Sequence, residues 1–211
     1  MRLKRYGIGF DSLNTDHLEM VRLWRNQEFV RCNMEFKELI SREQQEAWFE
    51  GLDKETNLYW VIRTHGYPIG LIHIKNIDRT ERVGEAGIFV GEPSYLSMPQ
   101  PMLAILFMME LAFEALDFKQ LKAKIRRGNA QAIEFNQKLG YRLLPDQQEG
   151  FQYYAVERKE FHSATIKLRE QSSKMYGDVT EVLKPSVRTK IETKLITGIQ
   201  ESERLFKAVF P

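Results

Sequence analysis

A single cysteine, Cys32, excludes an intramolecular disulfide framework and fits a reducing compartment. The four histidines include no pair at metal-ligand spacing, so a zinc site is not expected. No basic block stands out: 31 basic residues face 29 acidic ones, for a net charge of +2, which makes nucleic acid a poor partner. The first ten residues, MRLKRYGIGF, lack the apolar run of a signal peptide. The longest apolar stretch, from about Met102 to Leu116, would make a helix of ~22 Å, too short for a bilayer. No internal repeat or low-complexity segment is present. The plain reading is a soluble cytoplasmic protein that spans no membrane.

What is present is the material of a packed core. An apolar fraction of 43% with 11% aromatics is far from a disordered composition. Residues 3–10 (LKRYGIGF) predict a first strand, and capping residues between Ser12 and Asp16 precede a helix over His17–Asn26. Its apolar face is Leu18, Val21, Leu23 and Trp24, and Arg25-Asn26 closes it. Those two residues suit either a solvated helix end, favourable to the helix dipole, or acceptor binding. After a mixed segment, Ser41-x-x-Gln44 predicts a capping box for a helix over Glu43–Leu52. Trp48 and Phe49 on that helix either pack or line a cleft.

Tyr59–Arg63 and Pro68–Ile77, joined by His65-Gly66, predict a β-hairpin. The central stretch follows: a strand Glu85–Val90, a turn-rich loop, a helix Met102–Leu116, a strand Leu121–Arg127 and a helix Asn129–Tyr141. Pro99 and Pro101 sit where a helix start tolerates a missing N–H. Only Glu110 and Glu114 break the apolar surface of the first helix, predicting a narrow wet stripe on a buried cylinder. Residues 151–157 supply a last strand. The whole predicts an α+β protein, a mixed and mostly antiparallel sheet flanked by helices.

Beyond residue 157 the chain predicts a mostly helical extension, 158–211. A helix over Arg158–Met175 breaks at Gly177-Asp178. Apolar residues then recur at loose helical spacing (Val182, Leu183, Val187, Ile191, Leu195, Ile199, Leu205, Phe206, with the pattern running to Phe210), interrupted by Pro185. Such an extension either packs back on the domain or builds a homodimer.

The motif Asn129-x-x-Ala132-Ile133-x-Phe135-x-x-Lys138-Leu139-Gly140-Tyr141, after strand, turn, helix and strand, resembles the acetyl-CoA-binding half of the GNAT N-acyltransferase superfamily. The resemblance spans roughly residues 1–160, so that 1–157 reads as a GNAT-like domain. Arg25-Asn26, Met34 and Ser41 leading to Trp48-Phe49 are similar to the branch of ribosomal-protein, spermidine and pseudaminic-acid-pathway N-acetyltransferases. The family's pyrophosphate loop, [Q/R]-x-x-G-x-[G/A], reads here Leu96-Ser97-Met98-Pro99-Gln100-Pro101. Proline stands at both glycine positions and donates no N–H. Losing two charge-assisted bonds of about 1.5–3 kcal/mol each costs on the order of 10²–10⁴ in affinity.

The resemblance implies acetyl-CoA as cosubstrate and a small-molecule or peptide amine as acceptor. It places a carbonyl-polarising N–H on the strand ending in Phe89-Val90 and a carboxylate base on or near it, with Glu85 first and Glu92 second. An exposed strand-end charge is the other reading of Glu85. The loop donors left for pyrophosphate are Ser97, Met98, Gln100, Met102 and Leu103. Asn129 either contacts the cofactor arm or caps its helix, and the two are compatible. Asn136 stands where many relatives carry the tyrosine that protonates the leaving thiolate; it offers hydrogen bonds but no acid. Tyr95, Tyr153 and Tyr154 are candidates for that proton, and Cys32 is a poor nucleophile. The aromatics around Trp48-Phe49 and Tyr59-Trp60 suit stacking on a sugar or nucleobase. Two functions stay open: an N-acetyltransferase, or a GNAT fold without catalysis that serves as a binding or scaffold module.

Overall fold

The computed structural model describes residues 1–177, 179–184 and 189–209, without the side chains of 146–148, 184 and 203–209. Asp178, Pro185, Val187 and Phe210 therefore lie outside the described residues, as do the side chains of Leu205 and Phe206.

The single strand expected over residues 3–10 is a hairpin, β1 (Arg2–Arg5) and β2 (Ile8–Ser12). Tyr6 (φ 54°) and Gly7 (φ 71°) both adopt left-handed backbone, the geometry of a tight two-residue turn. A short 3₁₀ turn, Thr15–His17, then leads into α1 (Leu18–Asn26), with Leu18, Val21 and Trp24 buried. Leu23, expected on the apolar face, is 53% exposed. After α2 (Glu28–Arg31), the capping box forms as predicted: Ser41 Oγ accepts from Gln44 N, and Gln44 Oε1 accepts from Ser41 N, opening α3 (Arg42–Glu50).

β3 (Leu58–Thr64) and β4 (Tyr67–Asp78) form the expected hairpin, and β5 (Val83–Val90) follows. Next come α4 (Gln100–Glu110), β6 (Gln120–Arg126), α5 (Ala130–Lys138), β7 (Arg142–Gln148) and β8 (Phe151–Glu157). The extension adds α6 (Arg158–Tyr176), β9 (Glu181–Lys184) and α7 (Lys190–Val209). Nine strands form one sheet in the order β7-β8-β6-β5-β4-β3-β2-β1-β9. Its β5–β6 pair is parallel and the other pairs are antiparallel.

Alternation along β3 shows how the sheet divides the core. Trp60 and Ile62 enter the larger cluster with α4, α6 and α7, whereas Val61 enters the smaller one with Val21, Trp24 and Phe49. The one helix expected over Met102–Leu116 is α4 followed by a π turn at Leu111–Ala115. That wider turn begins between the two acids, which do not share a wet stripe. Glu110 is buried, paired with Arg5 (3.0 Å) and accepting from the Tyr6 hydroxyl (2.9 Å). Glu114 is outside, 2.8 Å from His162 Nε2.

The extension packs against this body. β9 pairs with β1, and Ile191, Leu195 and Ile199 of α7 are buried in the larger core. Gly198 lets α7 approach the backbone of Ala115, because a Cβ there would collide with the Ala115 carbonyl.

Candidate active site

The site begins where two strands part. β5 and β6 are paired over Val83–Glu85 and Gln120–Lys122. Past those residues β5 stays with β4 as far as Val90, and β6 stays with β8 as far as Arg126. The sheet opens between them, and a cavity of about 590 Å³ occupies the opening.

The parity of the strands sorts its walls into two sides. Ala86, Ile88, Ala123 and Ile125 line it together with Ile105 and Met108 of α4. Asn129, Phe135, Asn136 and Tyr141 join them from around α5. On the opposite face of the sheet, Glu85, Gly87 and Phe89 stand beside their β4 partners Lys75, His73 and Leu71. Tyr59 of β3, Arg25 of α1 and Trp48 of α3 close that side. One cavity thus reaches both faces of the sheet through the gap. Such a passage lets a group held on one face be attacked from the other.

Polar groups on the α1 side are held close. Glu85 Oε1 lies 2.9 Å from Lys75 Nζ, so the carboxylate is a partly buried ion pair and not a free strand-end charge. The Tyr59 ring lies 5.0 Å from His73 and 5.2 Å, edge to face, from Trp48. Burial and the Glu85 charge push the Tyr59 phenol up to about 12. Burial, with the nearby Lys75 and Arg25 charges, brings His73 down to about 3, so the imidazole is neutral at pH 7. Segment 33–36 covers this side, held by Glu35–Lys124 (2.7 Å) and by Arg126 donating to the Cys32 carbonyl.

On the α5 side, Asn129 Oδ1 accepts from Ala132 N (3.0 Å), which makes it the helix N-cap. Asn136 Nδ2 donates to Ala132 O (2.8 Å), leaving its carbonyl oxygen toward further partners. Burial raises the Tyr141 phenol well above its ordinary value, so it keeps its proton.

Of the residues singled out in the sequence, Glu85, Phe89, Asn129 and Asn136 meet in the cavity. Val90, Ser97, Met98, Gln100 and Met102 are not among its lining and belong to the end of β5 and the entry to α4. Met98 N donates to Tyr95 O (3.1 Å) and Leu103 N to Pro99 O (3.0 Å), so the chain already engages those two donors. The Ser97, Gln100 and Met102 N–H groups have no such backbone partner among the described residues. Glu92 accepts from the Trp24 indole (2.9 Å) and does not line the cavity, nor do Tyr95, Tyr153 and Tyr154. Trp48 is 39% exposed at the cavity, while its neighbour Phe49 is packed in the smaller core. Likewise Tyr59 lines the cavity and Trp60 stacks on Phe10 in the larger core. Asn26 exchanges two hydrogen bonds with Ile40 and so clasps the covering segment, leaving Arg25 to face the cavity.

Sequence reasoning missed His73 and Lys75, and it named Tyr141 only as the end of the motif, without a role in the site. The odd-numbered positions of β4 carry the signal, since His73 and Lys75 interrupt one face of an apolar strand, but their apposition to Gly87 and Glu85 depends on register. Among the described residues, no group of three His, Cys, Asp or Glu is placed to hold a metal ion. No described helix is long and apolar enough to cross a membrane.

Comparison with known proteins bears on this arrangement. The acetyltransferase (GNAT) domain family matches residues 9–142. No curated protein matches the sequence. Among solved structures, spermidine N-acetyltransferase from Vibrio cholerae, in complex with CoA and spermine, superposes with a TM-score of 0.66 at 13% identity. That match covers 74% of this chain and 98% of the other. An aminoglycoside acetyltransferase in complex with coenzyme A gives 0.65 at 14% identity, over 74% and 98%. A domain from Methanocaldococcus jannaschii DSM 2661 gives 0.64 at 18% identity, over 71% and 97%. At these identities the superpositions establish the fold.

Proposed function

The chain belongs to the acetyltransferase (GNAT) domain family, and from that premise we propose that it transfers an acetyl group from acetyl-CoA to the primary amine of a small molecule. The observation that carries the proposal is the single cavity through the β5–β6 opening, with Glu85 on one face and Asn129 and Asn136 on the other. The α4–α5 side takes the cosubstrate, and the α1–α3 side takes the amine. The CoA complexes of the spermidine and aminoglycoside enzymes support that cosubstrate. The faces of Trp48 and Tyr59 support an acceptor with a ring to stack, such as an amino sugar.

In this reading the acceptor arrives as an ammonium and must lose a proton before it attacks. Glu85, ion-paired with Lys75, takes that proton. The amine nitrogen then adds to the thioester carbonyl, forming the C–N bond. Collapse of the tetrahedral intermediate breaks the C–S bond, and the second amine proton leaves through water. Asn136 offers a hydrogen bond near the departing sulfur, and Tyr141 is the protonated phenol on that side. Binding at the α4 entry uses the N–H groups of Ser97, Gln100 and Met102, which the chain leaves without backbone partners.

Calorimetric titration with acetyl-CoA and with desulpho-CoA tests the proposal. Micromolar binding of both is expected. No binding at a millimolar of either overturns it.

A further inference from the structure

Arg25 stands apart from every other charged group around the cavity. Its Nη1 is buried without a hydrogen-bond partner among the described residues. Burial depresses the guanidinium from its ordinary value, with only the Tyr59 phenol acting against that. The two carboxylates are matched, Glu85 by Lys75 and Glu35 by Lys124, and Arg126 donates to a backbone carbonyl. In all, four cations line the cavity against two carboxylates, and the neutral imidazole of His73 adds no charge.

The side chain is half-buried with Nη1 buried, and its guanidinium presents a planar fork of donors that matches a carboxylate or a phosphate. It is costly to keep without such a partner. We infer that Arg25 is the anchor for an oxyanion on the acceptor, so that the substrate is a small amine that also carries a carboxylate or phosphate. Tyr59, whose phenol interacts with Arg25, is in edge-to-face contact with Trp48, and both line the same cavity as Glu85 of β5, so the group between the anion and the amine would lie along these rings. A polyamine meets the opposite field, a net-positive cavity whose two carboxylates already have lysine partners.

This identification of the acceptor rests on the acyl-transfer reading, but its test does not depend on turnover. Binding is measured calorimetrically for two matched pairs, glucosamine 6-phosphate against glucosamine and phenylalanine against phenylalanine amide, with spermine as the polycation. Titration of CoA is run separately, so loss of cosubstrate binding and loss of oxyanion preference are read independently. The oxyanion-bearing member of one pair is expected to bind roughly 10–100-fold more tightly than its twin without the oxyanion, the worth of a charge-assisted pair. Which pair discriminates distinguishes phosphate from carboxylate. Arg25→Met should abolish the difference without changing CoA affinity, and Arg25→Lys should retain part of it. Arg25→Met should also leave the melting temperature unchanged or raised, since it removes a half-buried charge whose Nη1 has no partner among the described residues. Equal binding of twins, no binding by either oxyanion-bearing member, tighter binding of spermine, or a preference that survives Arg25→Met overturns the inference.

Discussion

His73 fills the space above Gly87 that any other residue's side chain would need. A Cβ on Gly87 would lie 2.6 Å from the His73 Cε1 and 2.7 Å from Nε2. The pair sits in the middle of the cavity wall, between Glu85 and Phe89 on β5. Gly87→Ala is therefore expected to displace the imidazole and cost about 1–3 kcal/mol of stability, the usual cost of overpacking. Urea denaturation measures it. Adding His73→Ala to Gly87→Ala should recover most of the loss, and failure to recover would show that the backbone at 87, not the imidazole, sets the requirement.

At the entry to α4, Pro99 is the helix N-cap and Pro101 lies within the first turn. Neither can donate to a bound diphosphate. Restoring one donor, by Pro99→Gly or Pro101→Ala, should tighten CoA roughly 10–100-fold, as one charge-assisted hydrogen bond is worth about 1.5–3 kcal/mol. Calorimetry of both variants reads this directly. Unchanged affinity in both would place the diphosphate elsewhere.

Asp11 of β2 pairs with Arg2 inside the N-terminal hairpin and with Arg63 of β3, whose Nε is 2.6 Å away. Burial opposes the charged carboxyl, but the hydrogen bonds and charges of the two arginines outweigh it and hold the group below its ordinary 3.8. A carboxyl lowered in the folded state contributes stability that is present above the unfolded value and lost as pH falls through the folded one. Acid unfolding should therefore steepen below about pH 3.8. Asp11→Asn should be less stable at neutral pH and show a shallower dependence in that window.

The junction between α7 and the π turn depends on Gly198 against Ala115. Gly198→Val is expected to push the helix off this contact and destabilise the protein by about 3 kcal/mol, at the upper end of overpacking costs. Thermal denaturation checks it, and an unchanged midpoint would mean that α7 does not dock there in solution.

How much of this was legible in the sequence depended on how local the cause is. The Ser41 capping box, the Asn129 cap and the β5–α4–β6–α5 order were legible because each rests on neighbouring residues. Strand β7 was not: Pro145 and its polar neighbours hide the alternation, and the pairing with β8 shifts register between Leu143 and Gln147. Strand β9 has four residues and pairs with β1 at the far end of the chain, so no local signal announces it. Glu110 reads as a solvent charge because its partners, Arg5 and Tyr6, are 104 or more residues away. Around the cavity, Glu85 is singled out because the family resemblance implies a carboxylate on its strand, whereas His73 and Lys75 need the β4–β5 register. The isolation of Arg25 is a property of the assembled cavity and has no sequence signature.

The most direct test of acyl transfer through the β5–β6 opening is release of free CoA thiol from acetyl-CoA, followed with an amine panel for the native protein and Glu85→Gln. Amine-dependent thiol release is expected, with kcat reduced about 10²–10⁴-fold in Glu85→Gln and CoA binding unaltered. No amine-dependent release at saturating acetyl-CoA, or full activity in Glu85→Gln, would contradict it.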